Sequence, residues 1–403
     1  MLAQMCRAAM FKKLELLEEG TIELREGDRA FHFGRRTSTC PLCVTVNILE
    51  PACYVNLALG GSVGAAESYM RGEWATADLT GLVQIFVRNR GLLTTLDRGS
   101  GRLMQPALKA YHWLRRNTLR GSRANIAAHY DLGNEFFRLF LDETMMYSAA
   151  VFPSDDTSLY EASCHKLDLI CRKLDLKPTD EVLEIGTGWG GFALHAAQNY
   201  GCRITTTTIS EKQFQLAQQR VQEAGLDEQI TVIDQDYRHL HGQFDKLVSI
   251  EMIEAIGHQF FDHYFSQLNR LLKTDGSALI QAIVMADHNY ETAKRSVDFI
   301  KRYIFPGGCL PSVSAIMKSV AQRTDLLLVD LQDIGMDYAR TLQEWHDRFL
   351  GNLGAVRAQG YPDEFVRMWQ YYFCYCEGAF RERAISNVQL LFHKPRAGRV
   401  TQG

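Results

Sequence analysis

Residues 181–197, EVLEIGTGWGGFALHAA, restrict the fold of this chain more than any other stretch. Val182, Leu183 and Ile185 make a short apolar strand. Gly186, Gly188, Gly190 and Gly191 follow at once, and Phe192, Leu194, Ala196 and Ala197 open a helix. A buried strand that runs through a glycine turn into a helix is a nucleotide-binding geometry. Without Cβ atoms the backbone approaches a ligand closely, and the unpaired N–H groups of the helix start point at it. The spacing is G-x-G-x-G-G, with Glu184 two residues before the first glycine. That pattern suits S-adenosylmethionine (SAM) better than a dinucleotide, because an acid at the strand end can hold the methionine ammonium. A turn with no ligand gains nothing from so many glycines, each of which weakens ordered backbone.

From about residue 180, strand and helix patterns alternate. Residues 203–209, 230–233, 246–250 and 277–283 read as strands, and 211–224 and 260–272 as helices. This predicts an α/β, doubly wound parallel sheet of Rossmann-like type. Residues 326–331 and 388–393 close it as partly antiparallel strands, with helices over 342–353 and 364–381 between them. Residues 1–120 read as a separate, smaller α+β unit. Within it, 14–20, 67–74 and 79–89 are expected as helices and 21–25, 30–34 and 44–49 as strands. The stretch 102–123 carries Arg102, Lys109, Arg115, Arg116, Arg120 and Arg123 among Leu103, Leu108, Tyr111, Trp113 and Leu114, with no acid. Such a segment suits either an anionic bilayer surface or a solvated linker helix.

Composition narrows the function classes. A net charge of -3 argues against a general nucleic-acid binder. No apolar run approaches bilayer length, and the N-terminus lacks an apolar core followed by a small-residue cleavage site. The ten cysteines are scattered, which fits a reducing cytoplasm. Cys40 and Cys43 form a lone CxxC, and His129, His258 and His263 make no metal-ligand set, so no metal is expected. Glu251 and Glu254 lie three apart, but without a sugar-binding cleft they do not make a hydrolase. The aromatic run 369–376, WQYYFCYC, reads mainly as core, with an acyl-chain tunnel as the other possibility.

The motifs HYDLGNEFF (129–137), YSAAVF (147–152), EIGTGWGG (184–191), TTISEKQ (207–213), QDYR (235–238), MIEAIG (252–257), YIFPGGCLPS (303–312) and GMDYARTL (335–342) occur in this order. Together they resemble the cyclopropane-fatty-acyl-phospholipid synthases and their mycolic acid relatives, over about residues 120–393. The resemblance implies a SAM-dependent enzyme that methylates a cis double bond in a phospholipid acyl chain and closes a cyclopropane ring. It implies an N-terminal lipid- and membrane-engaging domain (1–120), a class I SAM-dependent methyltransferase domain (121–395) and a tail (396–403). A homodimer on the inner face of the membrane is expected, reached from the cytoplasm.

Family SAM contacts fall on Tyr147, Ser148, Gly186, Gly188, Thr208, Gln213, Asp236 and Tyr237, beside Glu184 of the glycine motif. Asp236 would accept from the adenine amino group and Tyr237 would stack on the base. Thr205–Thr208 and Ser210 stand where such sites usually carry an acid, which leaves Gln213 for the ribose. In the family a bound bicarbonate serves as base, held by a cysteine, a glutamate, a histidine, a tyrosine and backbone groups. Here Glu254 matches the glutamate, Tyr338 the tyrosine and Ile283 a lining isoleucine. The cysteine is Ala149, the histidine is Gln281, and a second histidine is Ala255. Three routes for the last proton stay open. Gln281, Glu254 and Tyr338 bind bicarbonate through neutral hydrogen bonds; Glu254 is itself the base; or the proton leaves elsewhere, giving a methylene- or methyl-branched chain. A lipid-binding protein that has lost the chemistry is the non-enzymatic alternative that Ala149 and Gln281 raise.

Overall fold

The computed structural model describes residues 1–91 and 132–397. The basic stretch 102–123, His129 and the last residues of the tail lie outside them. The principal elements in chain order begin with α1 (Leu2–Leu14), β1 (Gly20–Glu26), β2 (Arg29–Arg35), β3 (Cys43–Ile48), α2 (Ala52–Met70), β4 (Trp74–Thr76) and α3 (Leu79–Arg88). They continue with α4 (Leu159–Lys173), β5 (Glu181–Ile185), α5 (Gly191–Tyr200), β6 (Arg203–Thr208), α6 (Glu211–Glu223), β7 (Ile230–Asp234), β8 (Phe244–Ile250) and α7 (Phe261–Leu271). The last are β9 (Leu272–Met285), α8 (Asp287–Arg295), α9 (Val313–Arg323), β10 (Leu327–Asp333), α10 (Gly335–Gly351), α11 (Asp363–Arg381) and β11 (Ile385–His393).

These elements form two compact units. Among the described residues, one comprises 1–91, 296–306 and 342–384, and the other 132–295, 307–341 and 385–397. The expected division into continuous 1–120 and 121–395 blocks is therefore corrected, since two later segments belong with the N-terminal part. In that unit the sheet order is β2-β1-β3-β4. Ile22 and Leu24 of β1 alternate inward. The apolar face of α3 needs a cover, and α11 supplies it. Gly378 lets the two helices meet, because a Cβ there would stand 2.8 Å from a Val83 methyl. Thr80 donates to Glu377 at 3.0 Å, and Arg88 pairs with Glu382 at 2.8 Å. Trp369, Tyr372, Phe373 and Phe380 are buried in this unit.

Two N-terminal expectations also change. The first helix covers Leu2–Leu14 instead of 14–20. The helix expected at 67–74 lies within Ala52–Met70, where two helical stretches meet at a kink at Gly61 (φ 58), and Trp74 opens β4.

In the second unit the sheet runs β10-β11-β9-β8-β5-β6-β7. Strands β5 to β9 pair in parallel, whereas β11 pairs antiparallel with both β9 and β10. Successive residues of β5 feed opposite faces. Leu183 and Ile185 join a core with Phe265 and Leu268, while Val182 joins one with Phe192 and Ile170. The chain runs outward from β5 to β7 and then returns to place β8 on the other side of β5. A doubly wound sheet opens a crevice at that reversal, at the carboxyl ends of its strands.

Candidate active site

A cleft of about 160 Å3 opens there. Its floor is the glycine turn after β5. Gly186 (φ 101) and Gly188 (φ 52) adopt backbone that L side chains avoid, and a Cβ on Gly188 would meet no protein atom within 4 Å. The Gly186 and Thr187 N–H groups both donate to the Thr207 carbonyl at 3.1 Å, which ties the turn to β6. Arg220 secures it from α6, donating to the carbonyls of Trp189 (2.7 Å) and Thr144 (3.1 Å). This brings Tyr147 and Ser148 onto the cleft wall with Gly186 and Gly188.

The other wall comes from the ends of β6, β7 and β8. Thr208 donates to Gln213 Oε1 at 3.0 Å, and Ser210 caps α6. Asp236 and Tyr237 follow β7. Burial alone would raise the Asp236 carboxyl, but the side-chain and backbone N–H groups of Arg238 outweigh it and hold its pKa below the ordinary value. A carboxylate has lone pairs beyond those Arg238 takes, so Asp236 can still accept from an adenine amino group. Tyr237 stands edge-on to Tyr264, with ring centroids 5.6 Å apart. Tyr147, Ser148, Gly186, Gly188, Thr208, Gln213, Asp236 and Tyr237 thus line one cleft. The glycine cradle, carboxylate and aromatic face suit an adenosyl sulfonium donor.

Glu184 is a correction. It is 2% exposed and does not line the cleft. Its carboxylate accepts from Thr206 Oγ1 at 2.6 Å, and burial pushes its pKa up to about 8. A side chain on a doubly covered strand points into a core layer, so this acid lies beneath the floor.

None of the three residues expected at the base, Glu254, Gln281 and Tyr338, lines the cleft itself. Glu254 Oε1 accepts from the Ile283 backbone N–H, while Oε2 is buried with no hydrogen-bond partner among the described residues. Burial, reinforced by the nearby charge of Glu251, raises the Glu254 pKa to about 8. Gln281 is fully buried with both amide atoms engaged. It donates to Glu251 Oε1 (2.9 Å) and to the Ala149 carbonyl (3.4 Å), and accepts from Gln389 (3.0 Å). Tyr338 is 4% exposed on α10, with its N–H on the Ile334 carbonyl. Bicarbonate does not fit this set. Ala149 has no thiol, Gln281 has no side-chain N–H to spare, and the Ile283 N–H is already given to Glu254.

Two residues of this site escaped the sequence reading as functional. Glu251 lines the cleft just beyond β8. Lys166 is 0% exposed and donates to Ser148 Oγ at 2.9 Å. Burial lowers its pKa to about 8, against the charges of Glu251, Asp142 and Glu184. Both had a sequence signal. Glu251 follows an apolar strand at the ligand-binding end of the sheet, and Lys166 shares a helical face with Leu159, Ala162 and Ile170.

Comparison with known proteins agrees with this geometry. Residues 117–390 match the family model described as mycolic acid cyclopropane synthetase. The chain is 38% identical to tuberculostearic acid methyltransferase UfaA1 of Mycobacterium tuberculosis, covering 80% of this chain and 76% of the relative. It is 37% identical to cyclopropane-fatty-acyl-phospholipid synthase of Escherichia coli, covering 87% of each. Among solved structures, mycolic acid cyclopropane synthase CmaA1 complexed with SAH and CTAB superposes with a TM-score of 0.63 at 33% identity. That match covers 68% of this chain and 98% of CmaA1.

Proposed function

The chain belongs to the mycolic acid cyclopropane synthetase family of SAM-dependent methyltransferases, and from that premise we propose that it acts on a cis double bond in an unsaturated phospholipid acyl chain, forming a cyclopropane at the membrane surface. The observation that carries this reading is a donor cleft with a carboxylate beside it: Glu254 does not line the cleft but stands in the chain between Met252 and Ala255, which do, and one of its buried oxygens has no partner among the described residues. When bound, the sulfonium supplies an electrophilic methyl group that an alkene π pair can take, leaving a carbocation on the chain. Tyr147, Ser148, Gly186 and Gly188 hold the methionine end of the donor, and Thr208, Gln213, Asp236 and Tyr237 its adenosine end.

The cation must then lose a proton. Glu254 takes it on Oε2, the oxygen left open by its neighbours. A carboxyl with a pKa near the working pH is suited to this, and a bound cation nearby lowers that pKa toward neutrality. Loss of a proton from the new methyl while the cation sits on the neighbouring carbon closes the ring; loss from that same methyl after a 1,2-hydride shift has moved the cation to the carbon bearing it leaves a methylene branch. The similarity to a tuberculostearic acid methyltransferase and the poor fit of bicarbonate favour that branched product as a second reading. Expression in a host lacking its own synthase tests both. Cyclopropane signals in the NMR spectrum of extracted phospholipid support the first and signals of a 1,1-disubstituted C=CH2 on the acyl chain the second, while unaltered lipid contradicts each.

A further inference from the structure

The carboxylates lining the cleft among the described residues are Asp236 and Glu251. Asp236 is clamped by Arg238 at the end that would hold the adenine. Glu251 is held differently. Its Oε1 collects the Ala149 N–H (2.9 Å), the Gln281 amide (2.9 Å) and the Asn387 amide (2.6 Å), and Gln389 steadies Gln281 from behind. Three donors on one oxygen fix the orientation of the carboxylate, and the residue lines the cleft. Burial raises the Glu251 pKa, while these hydrogen bonds and the buried Lys166, itself bonded to Ser148, act against that and favour the charged form.

The backbone adds a second observation. Glu251 has φ 49, a conformation in which glycine is the default residue. The fold therefore retains a carboxylate where the backbone favours no side chain at all, a form of strain that clusters at functional sites.

The methyl-donor reading, on which this step rests, locates what that charge would face. Glu251 and Glu254 are three residues apart, and each carboxylate sits within the field of the other. The methyl must be delivered near the base, so the sulfonium lies toward Glu251 and the adenine toward Asp236. We propose that Glu251 is a donor-binding residue whose fixed negative charge faces the sulfonium, so that the cleft holds the charged donor more tightly than the neutral thioether left after transfer. Product then leaves because the charge that held the donor has been discharged.

Binding measurements separate this from a merely structural role. SAM and S-adenosylhomocysteine share the α-ammonium and adenosine and differ in the charge on sulfur. Calorimetric titration of the full chain with each ligand is expected to show preference for SAM. Glu251→Gln, which keeps the hydrogen-bond geometry, should lower SAM affinity at least about tenfold and leave S-adenosylhomocysteine nearly unchanged. Glu251→Gly, which also relieves the backbone, should do the same, with thermal melts confirming that both variants fold. Equal losses for the two ligands, or no loss for either, would overturn the assignment and leave the methyltransferase reading standing. A wild-type chain that binds neither ligand would refute that underlying reading instead.

Discussion

Glu254 and Lys166 are the side chains whose chemistry is most altered by their surroundings. Glu254→Gln should reduce turnover about 10²–10⁴-fold, the usual range for removing a general base, while SAM affinity measured by calorimetry is retained. In the wild type kcat/KM should rise with pH as Glu254 deprotonates, with a limb at or below about 8 that the variant lacks. The same group bears on stability. Glu184 and Glu254 both have folded pKa values of about 8 against 4.5 unfolded, so the native state holds protons that the unfolded chain has released. Stability of the ligand-free protein should therefore fall as pH rises from about 4.5 to about 8, and Glu254→Gln should flatten that slope in urea titrations. Lys166→Met keeps the volume but leaves Glu251 without its cation, and should cost about 3–5 kcal/mol in the same titrations. Glu254, Tyr338 and Gln281 were singled out from motif position alone, and none of them lines the cleft. Their partners were not legible: a sequence cannot show that Gln281 spends both amide atoms on Glu251 and Gln389.

At the level of elements, the glycine turn was legible because its conformations leave little choice of residue. Gly186→Ala has room, since its nearest contact would be 3.4 Å from Met252, but φ 101 is closed to alanine. The substitution should cost about 1–3 kcal/mol of stability and weaken SAM binding, read by thermal melts and calorimetry. The alternating strands and helices after residue 180 were legible for the same reason: apolar runs and periodicity are local. Of helix α2 only the end near 67–70 was expected, and the stretch from Ala52 through the kink at Gly61 was not. Helix α11 was recognised as a helix, but periodicity reports only that an apolar face exists, not that α3 covers it. Gly378→Val is the corresponding check. It places a side chain against Val83 and should destabilise the chain by about 1–3 kcal/mol without altering SAM affinity.

For the molecule as a whole, the parallel order of the sheet and its crevice follow from connection rules that the sequence pattern already satisfies. The composition of the units does not, because it depends on long-range contacts that bring 296–306 and 342–384 to the N-terminal part. No helix among the described residues is long and apolar enough to cross a membrane. The proposed reaction requires acyl chains to be reached from the membrane surface. The most direct measurement is incubation with methyl-labelled SAM and vesicles of cis-unsaturated or fully saturated phosphatidylglycerol, followed by mass analysis of the acyl chains. Label in the unsaturated chains alone, as a single added carbon that disappears with Glu254→Gln, is the predicted result. Donor binding with no label in any acyl chain, or equal label in saturated lipid, would contradict alkene methylation.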